Sequence, residues 1–89
     1  MKLIVAIVRD SDSDAVVAGL VERHFRVTRI ASTGGFLRRG NTTLWVGTED
    51  EKVDEAIGLI RATSAAGAGA EGQRTGMAFV LNVARFEQL

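Results

Sequence analysis

The sequence predicts an α+β fold in which four strands form one antiparallel sheet and two helices cover one of its faces. Three observations lead to this prediction. Four short runs are rich in β-branched, aromatic and aliphatic residues, two longer segments place apolar residues at helical spacing, and the elements follow in the order strand, helix, strand, strand, helix, strand. This βαββαβ order is the split βαβ, or ferredoxin-like, pattern. A chain of 89 residues is expected to form a single domain over residues 1–89.

The first strand and helix are predicted near the start of the chain. Residues 3–8 are apolar at every position, which is typical of a strand buried on both faces. Ser11 is the expected N-cap of the helix, because Asp14 follows it at the capping-box spacing. Alternate aspartates in this turn also have the spacing that opens a calcium loop. The glycine and glutamate of such a loop are missing, so the acids are interpreted as complements to the helix dipole.

The next two strands enclose the candidate functional loop. Residues 25–30 alternate between apolar and polar side chains, and residues 42–46 are β-branched, aromatic and aliphatic, so both runs are predicted as strands. The loop between them combines hydroxyls, glycines, an aromatic ring, arginines and an amide. Such a turn can bind an anion through its N–H groups, Phe36 can stack on a base, and Asn41 can both donate and accept hydrogen bonds. The loop is therefore a candidate nucleotide site. The alternative is a solvated hairpin loop with Phe36 packed on a neighbouring surface.

The second helix and the last strand complete the pattern. Thr48 and Glu51 have capping-box spacing, which predicts a helix start there, and the helix should end near residue 62 or 63. Residues 64–76 are rich in glycine and alanine and are predicted as a flexible connection. The last strand, residues 77–83, is again apolar on both sides apart from Asn82. Since helices cover only one face of such a sheet, other copies of the chain are expected to cover the second face.

The composition argues against several classes of function. The chain has no cysteine, and its 11 basic residues equal its 11 acidic residues, so no net charge attracts nucleic acid or an anionic membrane. The first apolar run is too short to span a membrane and has no cleavage pattern, which favours a cytoplasmic protein. His24, the only histidine, has no nucleophile or second metal ligand at a recognisable spacing and is interpreted as structural. We therefore predict no catalytic residue, no metal site and no cofactor, and hence a protein that is not an enzyme.

One long motif resembles a known family. The run RVTRIASTGGFLRRGNTT at residues 26–43, together with Gly47, residues 49–54 and the ending 85–88, resembles the PII-like cyclic-di-AMP receptor family (PstA/DarA). The resemblance implies a bacterial signal-transduction protein that forms a homotrimer and binds cyclic-di-AMP, or a related nucleotide, in the clefts between subunits. It also implies that the loop around residues 33–40 corresponds to the T-loop of PII proteins and signals to a downstream protein partner that the sequence does not identify. The ligand contacts that it implies lie at seven positions: Arg26, Thr28, Phe36, Leu37, Asn41, Gly47 and Gln88.

The connection before the last strand differs from the family pattern. Members of the family usually have a longer loop where this chain has residues 67–76. An alternative function is therefore a PII-like trimeric interaction module in which nucleotide binding is lost or altered. A third interpretation, a small acyl-phosphate hydrolase, is less well supported, because no glycine-rich phosphate cradle follows the first strand.

Overall fold

The described part of the chain contains four strands and two α-helices in the predicted order. The structure, a computed structural model, describes residues 1–30, 40–65 and 76–89; most of the predicted loop around residues 33–40 and most of the predicted connection at 64–76 lie outside the described residues. Neither described helix is long and apolar enough to cross a membrane. The elements are β1 (Lys2–Arg9), α1 (Asp10–Glu22), β2 (Arg26–Ile30), β3 (Asn41–Thr48), a 3₁₀ turn (Asp50–Lys52), α2 (Val53–Ala65) and β4 (Gly76–Asn82).

The four strands form one antiparallel sheet in the order β2-β3-β1-β4. On the central strand β1, Leu3 is paired with Gly47 on one side and with Leu81 on the other. Arg26 at the start of β2 also pairs with Gly47. The predicted antiparallel sheet is thus confirmed, with β2 and β4 as its edges.

Both helices pack on the same face of the sheet. Alternate side chains of β1 and β3 point to this face and join the helices in one buried cluster, because successive residues of a strand face opposite sides. Ten residues form the cluster: Ile4, Ala6, Val8, Leu44 and Val46 from these strands, Val16 and Leu20 from α1, Phe25 from the following turn, and Ala56 and Ile60 from α2. The opposite face of the sheet, called here the open face, is not covered by any described element.

The open face bears on the prediction that the first and last strands of the sequence are buried on both sides, with other copies of the chain covering the second face. In β1, the residues of the open face, including Leu3 and Ile7, are only half-buried. In β4, every residue is exposed, and Met77 and Phe79 have 57% and 52% of their surfaces accessible. No element within residues 1–30, 40–65 and 76–89 supplies a second cover, and the cover by other copies of the chain stays a prediction.

Both predicted helix caps are wrong. Helix α1 begins at Asp10, directly after β1, and the residue at its N-cap position, Arg9, makes no capping hydrogen bond with its side chain. Instead, the Asp10 N–H donates to the Gly40 carbonyl at 2.6 Å, so a distant segment satisfies a free N–H of the first turn. Thr48 is the buried last residue of β3, and the 3₁₀ turn lies between it and α2.

Helix α2 continues to Ala65, two to three residues beyond the predicted end. The hydroxyl groups of its last turn remain inside the helical pattern. Thr63 donates to the Leu59 carbonyl at 2.7 Å, and Ser64 donates to the Ile60 carbonyl. Ser and Thr are not strong helix formers, so the sequence predicted an earlier end. Inside a helix, their hydroxyl groups can donate to carbonyls of the preceding turn, as they do here.

Candidate functional site

Four of the seven predicted ligand contacts share the open face. The register pairs Arg26 with Gly47 and Thr28 with Trp45, and positions 45 and 47 have the strand parity opposite to the buried Leu44 and Val46. Asn41 has the same parity as Gly47 and therefore faces the same side. The sheet thus places Arg26, Thr28, Asn41 and Gly47 on the open face. On the same face, the side chains of β1 and β4 are largely apolar.

Arg26 is exposed on this surface and makes no ion pair with a carboxylate in the described part of the chain. Most of the described arginines are paired: Arg9 with Asp12 at 3.2 Å, Arg23 with Glu55 at 3.5 Å, Arg29 with Asp14 at 3.0 Å, and Arg85 with Glu87. Within the described ranges, only Arg26 and Arg61 have no carboxylate partner. Arg61 lies on the exposed side of α2. Among the described residues, Arg26 is therefore the arginine of the open face that has no carboxylate partner.

The predicted contacts lie at two ends of the β2–β3 pair. Arg26 and Gly47 are at one end, and Asn41 is at the other, beside the segment that leads to Phe36 and Leu37. With a rise of about 3.3 Å per residue, Asn41 and Gly47 are about 20 Å apart along β3. One copy of the chain therefore presents these contacts as two separate groups.

A cleft of ≈ 960 Å³ opens at the Arg26 end of the strands. Arg26 and Gly47 line it, and its volume is at the upper end of the range of about 300–1,000 Å³ that is usual for ligand pockets. The sequence analysis did not predict the other lining residues, because the fold brings them from the N-terminus, the turn after α1 and the segment before α2. They are Met1, Arg23, His24, Phe25, Thr48, Glu49, Asp50, Glu51 and Lys52.

The turn after α1 sets the position of Arg26. The N–H of His24 donates to the Val21 carbonyl at 2.9 Å, and the N–H of Phe25 donates to the Leu20 carbonyl at 3.0 Å. This pair of bonds is the Schellman arrangement, and it requires a left-handed residue, here His24 with a φ of 69°. The structural interpretation of His24 thus has a specific basis, which the sequence did not reveal because glycine usually occupies this position.

Gly47 lies beside the N-terminal residue. A Cβ at position 47 would be 3.4 Å from the Cε atom of Met1. The Met1 amino group is 3.1 Å from the carboxylate of Asp50, and the Met1 carbonyl accepts a hydrogen bond from the Val83 N–H at 3.1 Å. These contacts hold the Met1 side chain against the part of β3 that carries Gly47.

The other end of the strand pair is attached to α1. The Gly40 carbonyl accepts the Asp10 N–H, and the Thr42 hydroxyl donates to the Asp10 carboxylate. Gly40 has a φ of 87°, which glycine adopts without strain. Asn41 therefore directly follows a residue, Gly40, that is hydrogen-bonded to the N-terminus of α1.

The three remaining predicted contacts are not brought to this surface by the described structure. Phe36 and Leu37 lie outside the described residues. Gln88 is exposed in the segment that follows β4. Their roles as ligand contacts stay predictions.

Comparison with known proteins identifies the family. A family model described as "Cyclic-di-AMP receptor" matches residues 1–79, which include all four strands in whole or in part and both helices. The chain belongs to the cyclic-di-AMP receptor family. A solved crystal structure of a functionally unknown protein from Pediococcus pentosaceus is similar to this receptor chain, with 31% sequence identity, a TM-score of 0.77, and coverage of 99% of this chain and 96% of that chain. The resemblance inferred from the loop motif is thereby confirmed, whereas Gln88 lies beyond the residues that the family model matches.

Proposed function

We propose that this chain is a PII-like signal-transduction protein that binds cyclic-di-AMP, or a related nucleotide, between the subunits of a homotrimer. The loop around residues 33–40 acts as its T-loop and passes the bound state to a downstream protein. In this proposal the chain is a cytoplasmic, non-enzymatic protein with neither a catalytic nor a metal site.

The arrangement of four predicted contacts on the open face carries the proposal. Arg26, Thr28, Asn41 and Gly47 share one surface, although up to 21 positions separate them in the sequence. Arg26 supplies a cation that no described carboxylate neutralises, which suits a phosphate. Thr28 and Asn41 supply directional hydrogen bonds, and Gly47 lets a ligand approach the backbone closely.

The shape and composition of the open face support a ligand site between subunits. The two groups of contacts on one chain are about 20 Å apart along β3. On β4, two strands away from β3, the same face is apolar and exposed, with Phe79 and Leu81 at 52% and 48% accessibility. Large exposed apolar patches are typical of protein interfaces. Packing of these faces in a trimer would bury the apolar side chains and bring the contacts of neighbouring copies together.

The connection of Asn41 to α1 suggests how a bound ligand affects the loop. Asn41 follows Gly40, whose carbonyl accepts the Asp10 N–H. A ligand that holds Asn41 therefore restrains the C-terminal end of the loop at a point that α1 already fixes. In this proposal the difference between free and bound loop is the signal that the partner reads.

Calorimetric titration with cyclic-di-AMP, ATP and cyclic-di-GMP tests ligand binding, and light scattering tests the trimer. Cyclic-di-AMP is expected to bind with the highest affinity of the three. Asn41→Ala and Phe36→Ala should each weaken this binding roughly tenfold or more, because each removes about 1–3 kcal/mol of hydrogen bonding or stacking. A folded monomer, or a wild-type protein that binds no cyclic dinucleotide at high micromolar concentration, would overturn the proposal.

A pair of arginine variants gives a matched test of the phosphate contact. Arg26→Ala should weaken cyclic-di-AMP binding and reduce its dependence on salt without changing the order of preference among nucleotides. Arg61→Ala removes another exposed arginine, on α2, that has no carboxylate partner among the described residues, and it should leave binding unchanged. Equal effects of the two substitutions would indicate a general charge effect and would contradict a phosphate contact at Arg26.

The alternative is a trimeric interaction module without nucleotide binding. The observation that favours it is the difference from the family pattern at residues 67–76, which are shorter here than is usual. In that case the trimer would form, but titration with all three nucleotides would give no heat of binding. A wild-type protein that is trimeric and binds cyclic-di-AMP excludes this alternative.

A further inference from the structure

Trp45 is the only tryptophan of the chain, and it lies on the open face among the predicted contacts. Its cross-strand partner on β2 is Thr28, and Gly47 is its next neighbour along β3 on the same face. The side chain is 45% exposed, although tryptophan is usually well covered in folded proteins. Neither the composition nor the family resemblance gives this residue a role.

We propose that Trp45 contacts the bound nucleotide by stacking its indole ring against a base. This inference rests on the proposed nucleotide-binding function and adds one contact to that site. Directly opposed side chains on neighbouring strands have Cβ atoms about 4.5–5.5 Å apart, so a base that reaches the Thr28 hydroxyl also reaches the indole. Gly47 has no side chain of its own beside the ring, and the nearest atom to the place of a Cβ is Met1 Cε, the end of a flexible side chain.

The indole N–H favours a nucleotide over a second copy of the chain as the group that covers Trp45. None of the side-chain hydrogen bonds among the described residues uses this N–H. The open face of another copy is mostly apolar along β1 and β4 and would bury the N–H without an acceptor, which is unfavourable. A nucleotide carries ring nitrogens, hydroxyl groups and phosphate oxygens, any of which can accept this bond.

Two substitutions separate stacking from hydrogen bonding. Trp45→Leu removes both and should raise the Kd for cyclic-di-AMP about 5- to 150-fold, the range measured for loss of base–aromatic stacking. Trp45→Phe keeps an aromatic face and loses the N–H, so its Kd should lie between those of the wild type and Trp45→Leu. Phe79→Leu is the matched control, because Phe79 is an exposed aromatic residue of the same face on β4, two strands away from β3.

Tryptophan fluorescence of the intact wild-type protein gives a direct measurement, because all tryptophan emission comes from Trp45. Addition of cyclic-di-AMP should change this emission with the same midpoint as the calorimetric titration. Calorimetric binding without an emission change, and with Trp45→Leu as tight as wild type, would overturn this inference while the proposed function stands. No calorimetric binding by the wild type would instead overturn the proposed function, and this inference with it.

Light scattering of each variant distinguishes a ligand contact from a subunit contact. The wild type, Trp45→Leu and Phe79→Leu are expected to have the same mass at the concentration used for titration. If Trp45→Leu alone lowers the mass, and its affinity falls only in proportion to the lost oligomer, Trp45 is a subunit contact and the inference is wrong.

Discussion

The substitution Gly47→Ala separates the stability of the fold from binding at the proposed site. It adds one methyl group to the open face, and the nearest heavy atom to that methyl would be Met1 Cε at 3.4 Å. This is an ordinary van der Waals contact with the end of a flexible side chain. Gly40 is the described glycine with a positive φ, so the backbone at position 47 can accept alanine without strain.

Gly47→Ala is expected to stabilise the fold but to weaken ligand binding. Alanine at a compatible position restricts the unfolded chain and raises the free energy of unfolding by about 0.4–1 kcal/mol. The same methyl occupies the space through which a ligand would approach the backbone. Forcing an extra methyl into a packed contact costs about 1–3 kcal/mol, so the Kd for cyclic-di-AMP should rise about 5- to 150-fold.

Urea denaturation at one fixed protein concentration measures the change in stability, and calorimetric titration measures the change in affinity. A variant that binds cyclic-di-AMP as tightly as the wild type would refute the role of Gly47 in the site. A loss of more than about 1 kcal/mol in unfolding free energy would refute the packing argument, since overpacking has a cost of that size.

Three further substitutions test local features of the fold. Gly58→Ala should raise the free energy of unfolding by about 0.5–1 kcal/mol, because a Cβ in this part of α2 meets no described atom within 4 Å; urea denaturation measures it. Gly76→Ala should lower it by about 1–3 kcal/mol in the same assay, because its Cβ would overlap the Ile7 carbonyl oxygen. His24→Gly should raise the melting temperature, because glycine adopts the left-handed conformation of His24 without strain; a lower melting temperature would contradict this.

The sheet and its two faces could be predicted because the alternation of apolar and polar residues extends over several residues of a strand. Alternation from Phe25 to Ile30 indicates both a strand and which of its residues share a side. The same alternation by itself assigns Arg26 and Thr28 to one side of that strand. The loop composition adds Asn41 and the resemblance adds Gly47, and the register then brings both to the same side.

The helix ends could not be predicted because distant groups decide them. A serine followed by an aspartate at the right spacing favours an N-cap at Ser11, but the first N–H of α1 is satisfied by the Gly40 carbonyl, from a segment about thirty residues further along the chain. The left-handed turn at His24 likewise has no signal in the residue type. The cleft beside Arg26 depends on this turn and on Met1, which packs there only in the folded chain.

The two hydrogen bonds that close the turn at His24 fix how many residues separate α1 from β2. A strand repeats every two residues, so this count decides which side of the sheet receives each side chain of β2. Insertion of one residue between His24 and Arg26 would turn Arg26 and Thr28 toward the helices and expose Val27. Insertion of two would restore the faces while shifting each residue by two register pairs along β3. Among homologous chains that retain the nucleotide site, insertions or deletions at this turn should therefore involve an even number of residues. An insertion or deletion of an odd number of residues should accompany loss of the site.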